Sequence, residues 1–215
     1  MILLFECAAL VALTIADVLG WVPLSRTPFL VLLAWVSLRL RGMAWRDLGL
    51  RRPERWRSAI ALGVAAGLAL EGFASLVTTP LIAAVTGRPP DLTDFQPLIG
   101  NAGLLLILVA VNWVLAAFGE ELAFRGYLLN RAGDVTGHSW LGWTAALLAV
   151  SLFFGIGHAT QGVTGIIQES LSGAWLGVLF LVCGRTLTIP IVAHGVSNTL
   201  ALVLMYFGAY PGLSG

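Results

Sequence analysis

The chain has 215 residues, of which 58% are hydrophobic and 11% charged. A soluble domain carries about 25% charged residues, so the composition excludes an ordinary soluble domain, and no hydrophilic stretch is long enough to form a second one. The formal net charge of +1 points to no class of partner, and no nucleic-acid partner is expected. Its distribution is informative: every basic residue is Arg, and seven of the twelve lie between Arg39 and Arg57.

A membrane-spanning helix needs about 20 apolar residues. The predicted spans are 2–21, 28–41, 58–84, 98–118, 140–158, 163–183 and 187–209. Lipid offers the backbone no hydrogen-bond partner, so these spans must be helices. Met1–Trp21 lacks a basic leader, carries Glu6 and Asp17, and is followed by no small-residue cleavage site, so it reads as a retained first helix. Pro23 and Pro28 mark a turn before the short second span. The third span holds Gly63 and Gly67, the sixth Gly173 and Gly177, spacings that allow close helix approach. Gly87–Asp94 is a polar break, and His138 lies in a polar loop. Cys7 and Cys183 sit in apolar runs, with neither a disulfide framework nor a structural zinc pattern. By the distribution of positive charge, the N-terminus and the Arg39–Arg57 loop face the cytoplasm, and the loop with Asp91 and Asp94 faces out. The membrane domain divides into N-terminal helices and an Arg-rich connector (1–97) and a C-terminal core (98–215).

Three polar clusters interrupt the apolar helices of the second half. A charge at the bilayer centre costs about 2.5–3.5 kcal/mol on insertion scales, so such residues are candidates for function. The first cluster is Phe118–Arg125, where Glu121 and Arg125 are four apart and can pair while Glu120 has no local counter-charge. The second places Phe154 one turn before His158; the third places His194 one turn before Asn198, with Pro190 expected to bend the helix. Each cluster has a structural reading, as an interhelical lock or hydrogen bond. Together they supply the parts for amide hydrolysis: Glu120 and His158 to hold and deprotonate water, His194 and Asn198 to stabilise an oxyanion. Glu120, His158 and His194 are alternatively candidates for zinc ligands. No HExxH or GxSxG pattern occurs.

The ordered trio Glu-Glu-x-x-x-Arg, Phe-x-x-x-His and His-x-x-x-Asn, carried by Glu120, Glu121, Arg125, Phe154, His158, His194 and Asn198, resembles the CPBP family of intramembrane proteases. That family holds the Ras-converting CAAX prenyl endopeptidases and bacterial Abi-type proteins. The resemblance covers roughly residues 98–205, and Trp45–Pro53 is similar to a connector upstream in bacterial members. It implies an all-α polytopic transmembrane bundle of about seven to eight helices with an intramembrane cavity, in a bacterial or archaeal cytoplasmic membrane. It also implies an endopeptidase for membrane-associated protein or peptide substrates, with Glu120 and His158 activating water and His194 and Asn198 holding the oxyanion. Both zinc-dependent and metal-free glutamate chemistry have been argued for the family. A depth count puts Glu120 and His158 at opposite ends of neighbouring helices unless 98–131 forms one long tilted helix, and that is the expectation. The rival readings are a proton-coupled transporter, disfavoured because the N-terminal half shows no counterpart of the polar clusters, and a non-catalytic scaffold or immunity factor.

Overall fold

A computed structural model describes residues 2–22 and 25–213, and among them every regular element is helical. Seven helices follow in chain order: α1 (Ile2–Val18), α2 (Thr27–Leu40), α3 (Trp56–Thr86), α4 (Ala102–Thr136), α5 (Trp140–Ile156), α6 (Gly162–Val182) and α7 (Thr188–Tyr206). By length and composition, α3, α4, α6 and α7 can cross a membrane, whereas α2, α5 and the apolar part of α1 are shorter. The chain is an integral membrane protein. Pro23 and the side chain of Cys7 lie outside the described residues; Cys183 is a free thiol.

The fourth apolar span does not stop at residue 118: as the depth count required, it runs on as one long helix, Ala102–Thr136, of 35 residues. The carboxylates and arginine that interrupt the apolar pattern do not end the helix, because they find partners inside the bundle. Asn101 caps the start, its side-chain oxygen accepting the Leu104 N–H at 3.0 Å. From Asn112 to Leu129 the helix is wound as π-helix, a form that recurs at functional sites. A shorter π segment, Ala74–Thr78, precedes Pro80 in α3, where the proline ring cannot supply the usual N–H. Pro190 does not bend α7; it lies in the first turn of that helix, where the N–H has no helical partner in any case.

The helices run antiparallel in sequence, and both ends of the bundle are tied across the chain. At one end lies the Arg-rich connector, with Gly49 O accepting the Leu187 N–H at 2.9 Å and Arg51 donating to Gly184 O at 3.1 Å. The other end gathers the loop after α3, the turn after α5 and the tail after α7. There the Asp91 N–H meets Gln161 O and the Gly100 N–H meets Tyr206 O, both at 3.0 Å. Hydrogen bonds from the Thr93 hydroxyl and N–H hold the exposed Asp91 carboxyl below its usual range. α1 has its Glu6 end beside the connector: Glu6 accepts from Ser37 at 2.5 Å and pairs with Arg41 at 3.0 Å.

In lipid, helix association depends on packing and polar contacts rather than on apolar burial. The two glycine pairs supply close approach as the sequence suggests. Gly63 and Gly67 lie against Ile189, Val192 and Ala193 of α7; Gly173 and Gly177 lie against Ser151, Phe154 and Leu147 of α5. At Gly67 a β-carbon would overlap the Ala193 carbonyl. This draws α3 and α7, and α5 and α6, tightly together and leaves room elsewhere for a polar chamber.

Candidate active site

Glu120 and His158 stand at the same level although the sequence separates them widely. Glu120 is sixteen residues above the lower end of α4 at Thr136, and Ile156 is sixteen above the start of α5 at Trp140, where the α-helical arm climbs about 24 Å, so the two arms are of matching residue length. The upper part of α4 extends beyond, which is why a 35-residue helix can carry the carboxylates at its middle. The depth conflict disappears with the longer helix.

Glu121 lies at the centre of the polar cluster, fully buried. Its Oε1 accepts from Arg125 Nη1 at 2.7 Å and from His194 Nδ1 at 2.8 Å. Arg125, also buried, donates onward to the Gly173 carbonyl at 2.9 Å and stands 4.7 Å from the Phe154 ring centroid. The expected Glu121–Arg125 pair is therefore present, and it extends to α6 and α7. His194 bridges the two carboxylates: with Nδ1 on Glu121, its Nε2 is 4.0 Å from Glu120 Oε2. Among the described residues, the other Glu121 oxygen has no hydrogen-bond partner.

His158 ends α5 in a short turn. Its Nδ1 bonds the Phe154 carbonyl at 3.0 Å, and its ring lies 5.0 Å from that of Phe154. A hydrogen placed on Nδ1 for this bond leaves Nε2 as an acceptor. Glu120, His158, His194 and Asn198 all line one cavity of about 330 Å³, which also reaches Leu92, Phe95 and Tyr210 in the end loops. Next to His194, Asn112 of α4 donates to the Gly195 carbonyl at 3.0 Å and so fixes α7 against α4. His138 is a loop residue paired with Asp134 at 3.0 Å and takes no part in the cavity lining.

The structure adds groups that the sequence does not single out, some of them from the N-terminal half. Glu71 of α3 is buried and accepts from Ser75 at 2.7 Å and Ser197 at 3.0 Å. Glu71 and Glu169 of α6 line the same cavity. Burial, with the Glu71 and Glu169 carboxylates close by, pushes the Tyr210 phenol well above its usual range. From α2, Thr27 Oγ1 donates to Glu120 Oε1 at 3.4 Å. The sequence does hold a signal for Glu71 and Glu169, since an ionisable residue inside a span is a functional candidate by default. Neither belongs to one of the three motifs, and neither is among the residues expected at the site.

The zinc alternative can be judged on the donor set. Among the described residues no three His, Cys, Asp or Glu side chains stand close enough to hold a metal ion. His194 Nδ1 is engaged by Glu121, and its Nε2 is 4.0 Å from Glu120. The residues as arranged do not form a three-ligand site.

Fold and site together define an all-helical integral membrane protein with a polar, carboxylate- and histidine-lined chamber between its helices. The model of the Rce1-like family, described as type II CAAX prenyl endopeptidase, matches residues 102–200, from the start of α4 to within α7. Over these residues the chain is similar to the CAAX proteases, the family that the three motifs resemble, and the match includes Glu120, Glu121, Arg125, His158, His194 and Asn198. No curated protein and no solved structure matches the chain.

Proposed function

We propose that the protein is an intramembrane endopeptidase that hydrolyses a peptide bond near the C-terminus, or in a membrane-proximal part, of a membrane-associated protein or peptide. The observation that carries this reading is the meeting of Glu120, His158, His194 and Asn198, from three separate parts of the chain, on one cavity inside a helical bundle. Residues 98–215 supply the reacting groups, and 1–97 close the cavity and contribute Glu71 and Thr27. A bacterial or archaeal cytoplasmic membrane, with the N-terminus and the Arg39–Arg57 connector inside, suits the charge distribution.

In this mechanism a water sits between the Glu120 carboxylate and His158 Nε2. Glu120 takes a proton from it as the oxygen attacks the scissile carbonyl carbon. The oxyanion receives hydrogen bonds from Asn198 Nδ2 and from His194 Nε2–H, the second requiring a doubly protonated ring because Nδ1–H is already given to Glu121. Glu121 fixes the orientation of that ring through Nδ1 and is itself held by Arg125. Collapse breaks the C–N bond, and the proton on Glu120 passes to the leaving amine. No step needs a metal.

The test is cleavage of a library of membrane-anchored peptides by purified protein in nanodiscs, with and without a chelator. Glu120→Gln should lose about 10²–10⁴-fold in rate and Asn198→Ala about 10²–10³-fold, with folding retained and no effect of the chelator. Loss of activity with chelator would restore the zinc alternative. An inactive, well-folded wild type across a broad library would favour the scaffold or transporter readings.

A further inference from the structure

Glu120 is held from a part of the chain that precedes the matched family segment altogether. α2 begins against the middle of α4: Thr27 is 1% exposed, and its methyl group would meet a β-carbon at Gly119 at 2.6 Å, so glycine at 119 is what lets the two helices touch there. The Thr27 hydroxyl is oriented from both sides. It receives a hydrogen bond from Ser25 Oγ at 3.1 Å and donates its own hydrogen to Glu120 Oε1 at 3.4 Å. The neighbouring Arg26 is 4% exposed, although arginine is rarely buried without a partner. It pairs with Asp17 of α1 at 3.4 Å and stands 5.8 Å from the Phe124 ring centroid. Its guanidinium also fills the space that a side chain at Gly157, the residue before His158, would need. The α1–α2 junction thus touches both the carboxylate and the turn that carries the imidazole.

We infer that Thr27 is a positioning residue for Glu120, holding one carboxylate oxygen so that the other faces the water site, while Arg26 packs the His158 turn at the matching height. The inference rests on the proposed hydrolysis for its kinetic consequences, though not for its geometry. A free Glu side chain samples several rotamers, most of which point a carboxylate oxygen away from a given water. A donor fixed by Ser25 selects one. Oε1 is engaged by Thr27, and Oε2 is the oxygen nearer His194, at 4.0 Å.

The discriminating variant is Thr27→Val, which keeps shape and burial but removes the donor. The expected result is a fall in kcat of about tenfold, the low end for a hydrogen bond to a charged group, with KM unchanged, and recovery of most of the rate in Thr27→Ser. A merely structural Thr27 would tolerate Val at a buried site and suffer more from Ser, which leaves a methyl-sized gap. The second readout needs no turnover: the Glu120 carboxylate stretch, isolated by infrared difference between the wild type and Glu120→Gln. This band should shift in Thr27→Val and return in Thr27→Ser. A band that ignores Thr27→Val, or kcat unchanged in that variant, overturns the positioning role. A wild type that cleaves nothing while the band shifts overturns the protease reading and leaves the positioning role standing.

Discussion

Glu121 and Arg125 show how a pair visible in sequence can belong to a larger assembly that is not. Spacing by four gives the ion pair, and both groups are buried, 0% and 2% exposed as side chains. Removing one partner of such a pair strands a charge, at a cost of about 3–5 kcal/mol, whereas removing both is far milder. Arg125→Met should therefore unfold much earlier in a denaturant titration in detergent, and Glu121→Gln with Arg125→Met should recover most of the loss. Equal stability of single and double variants would show that the pair is not coupled. The sequence could not show that His194 Nδ1 shares the same carboxylate oxygen, because that contact joins positions 73 apart. Nor could it place the Thr27 hydroxyl on Glu120, 93 positions away. The lone carboxylates Glu71 and Glu169 escape notice for a different reason: no charged partner one turn away marks them, and although Ser75 on the same helix donates to Glu71, the Ser197 hydroxyl and the shared cavity come from other helices.

At the scale of the helices, the apolar pattern locates six of the seven within a few residues, because length and hydropathy are properties of a single segment. Taken alone it ends α4 at residue 118, where a polar run looks like a boundary, and only the depth of Glu120 against His158 argues for the longer helix that is found. Glycines behave similarly: the GxxxG spacing identifies a face that can approach a neighbour, but which glycines are in contact depends on the neighbour. Gly67 is pressed on the Ala193 carbonyl, whereas Gly72, further along the same helix, has open space where a β-carbon would stand. Gly67→Ala should cost about 1–3 kcal/mol through overpacking, forcing α3 away from α7. Gly72→Ala should be neutral or stabilise by up to about 1 kcal/mol through helix propensity. Thermal unfolding in one detergent compares the two directly; destabilisation of both alike would mean that helix packing at Gly67 is looser than the geometry indicates.

For the whole molecule, the two tied ends of the bundle turn a charge count into a prediction about access to the site. The connector end carries Arg46, Arg51, Arg52, Arg55 and Arg57; the opposite end carries a single arginine in the loop after α3, Arg88, with Asp91 and Asp94 and the loops that border the cavity. Arginines near an anionic inner leaflet gain about 1 kcal/mol each, so the connector end should lie inside and the cavity loops outside. In a variant with Cys7 and Cys183 replaced by Ala, cysteines at position 46 and position 94, both on exposed residues, report the two ends. A membrane-impermeant maleimide should label Asp94→Cys in intact cells and Arg46→Cys only after permeabilisation. The reverse pattern would invert the protein and put the cavity loops on the cytoplasmic side. Labelling of both from one side would contradict the single crossing by α3 on which the arrangement of the two ends depends. The expected pattern has a consequence for substrate: a peptide reaching Glu120 past Leu92, Phe95 and Tyr210 would approach from outside, and its scissile bond would have to enter the bundle from that face rather than from the Arg-rich one.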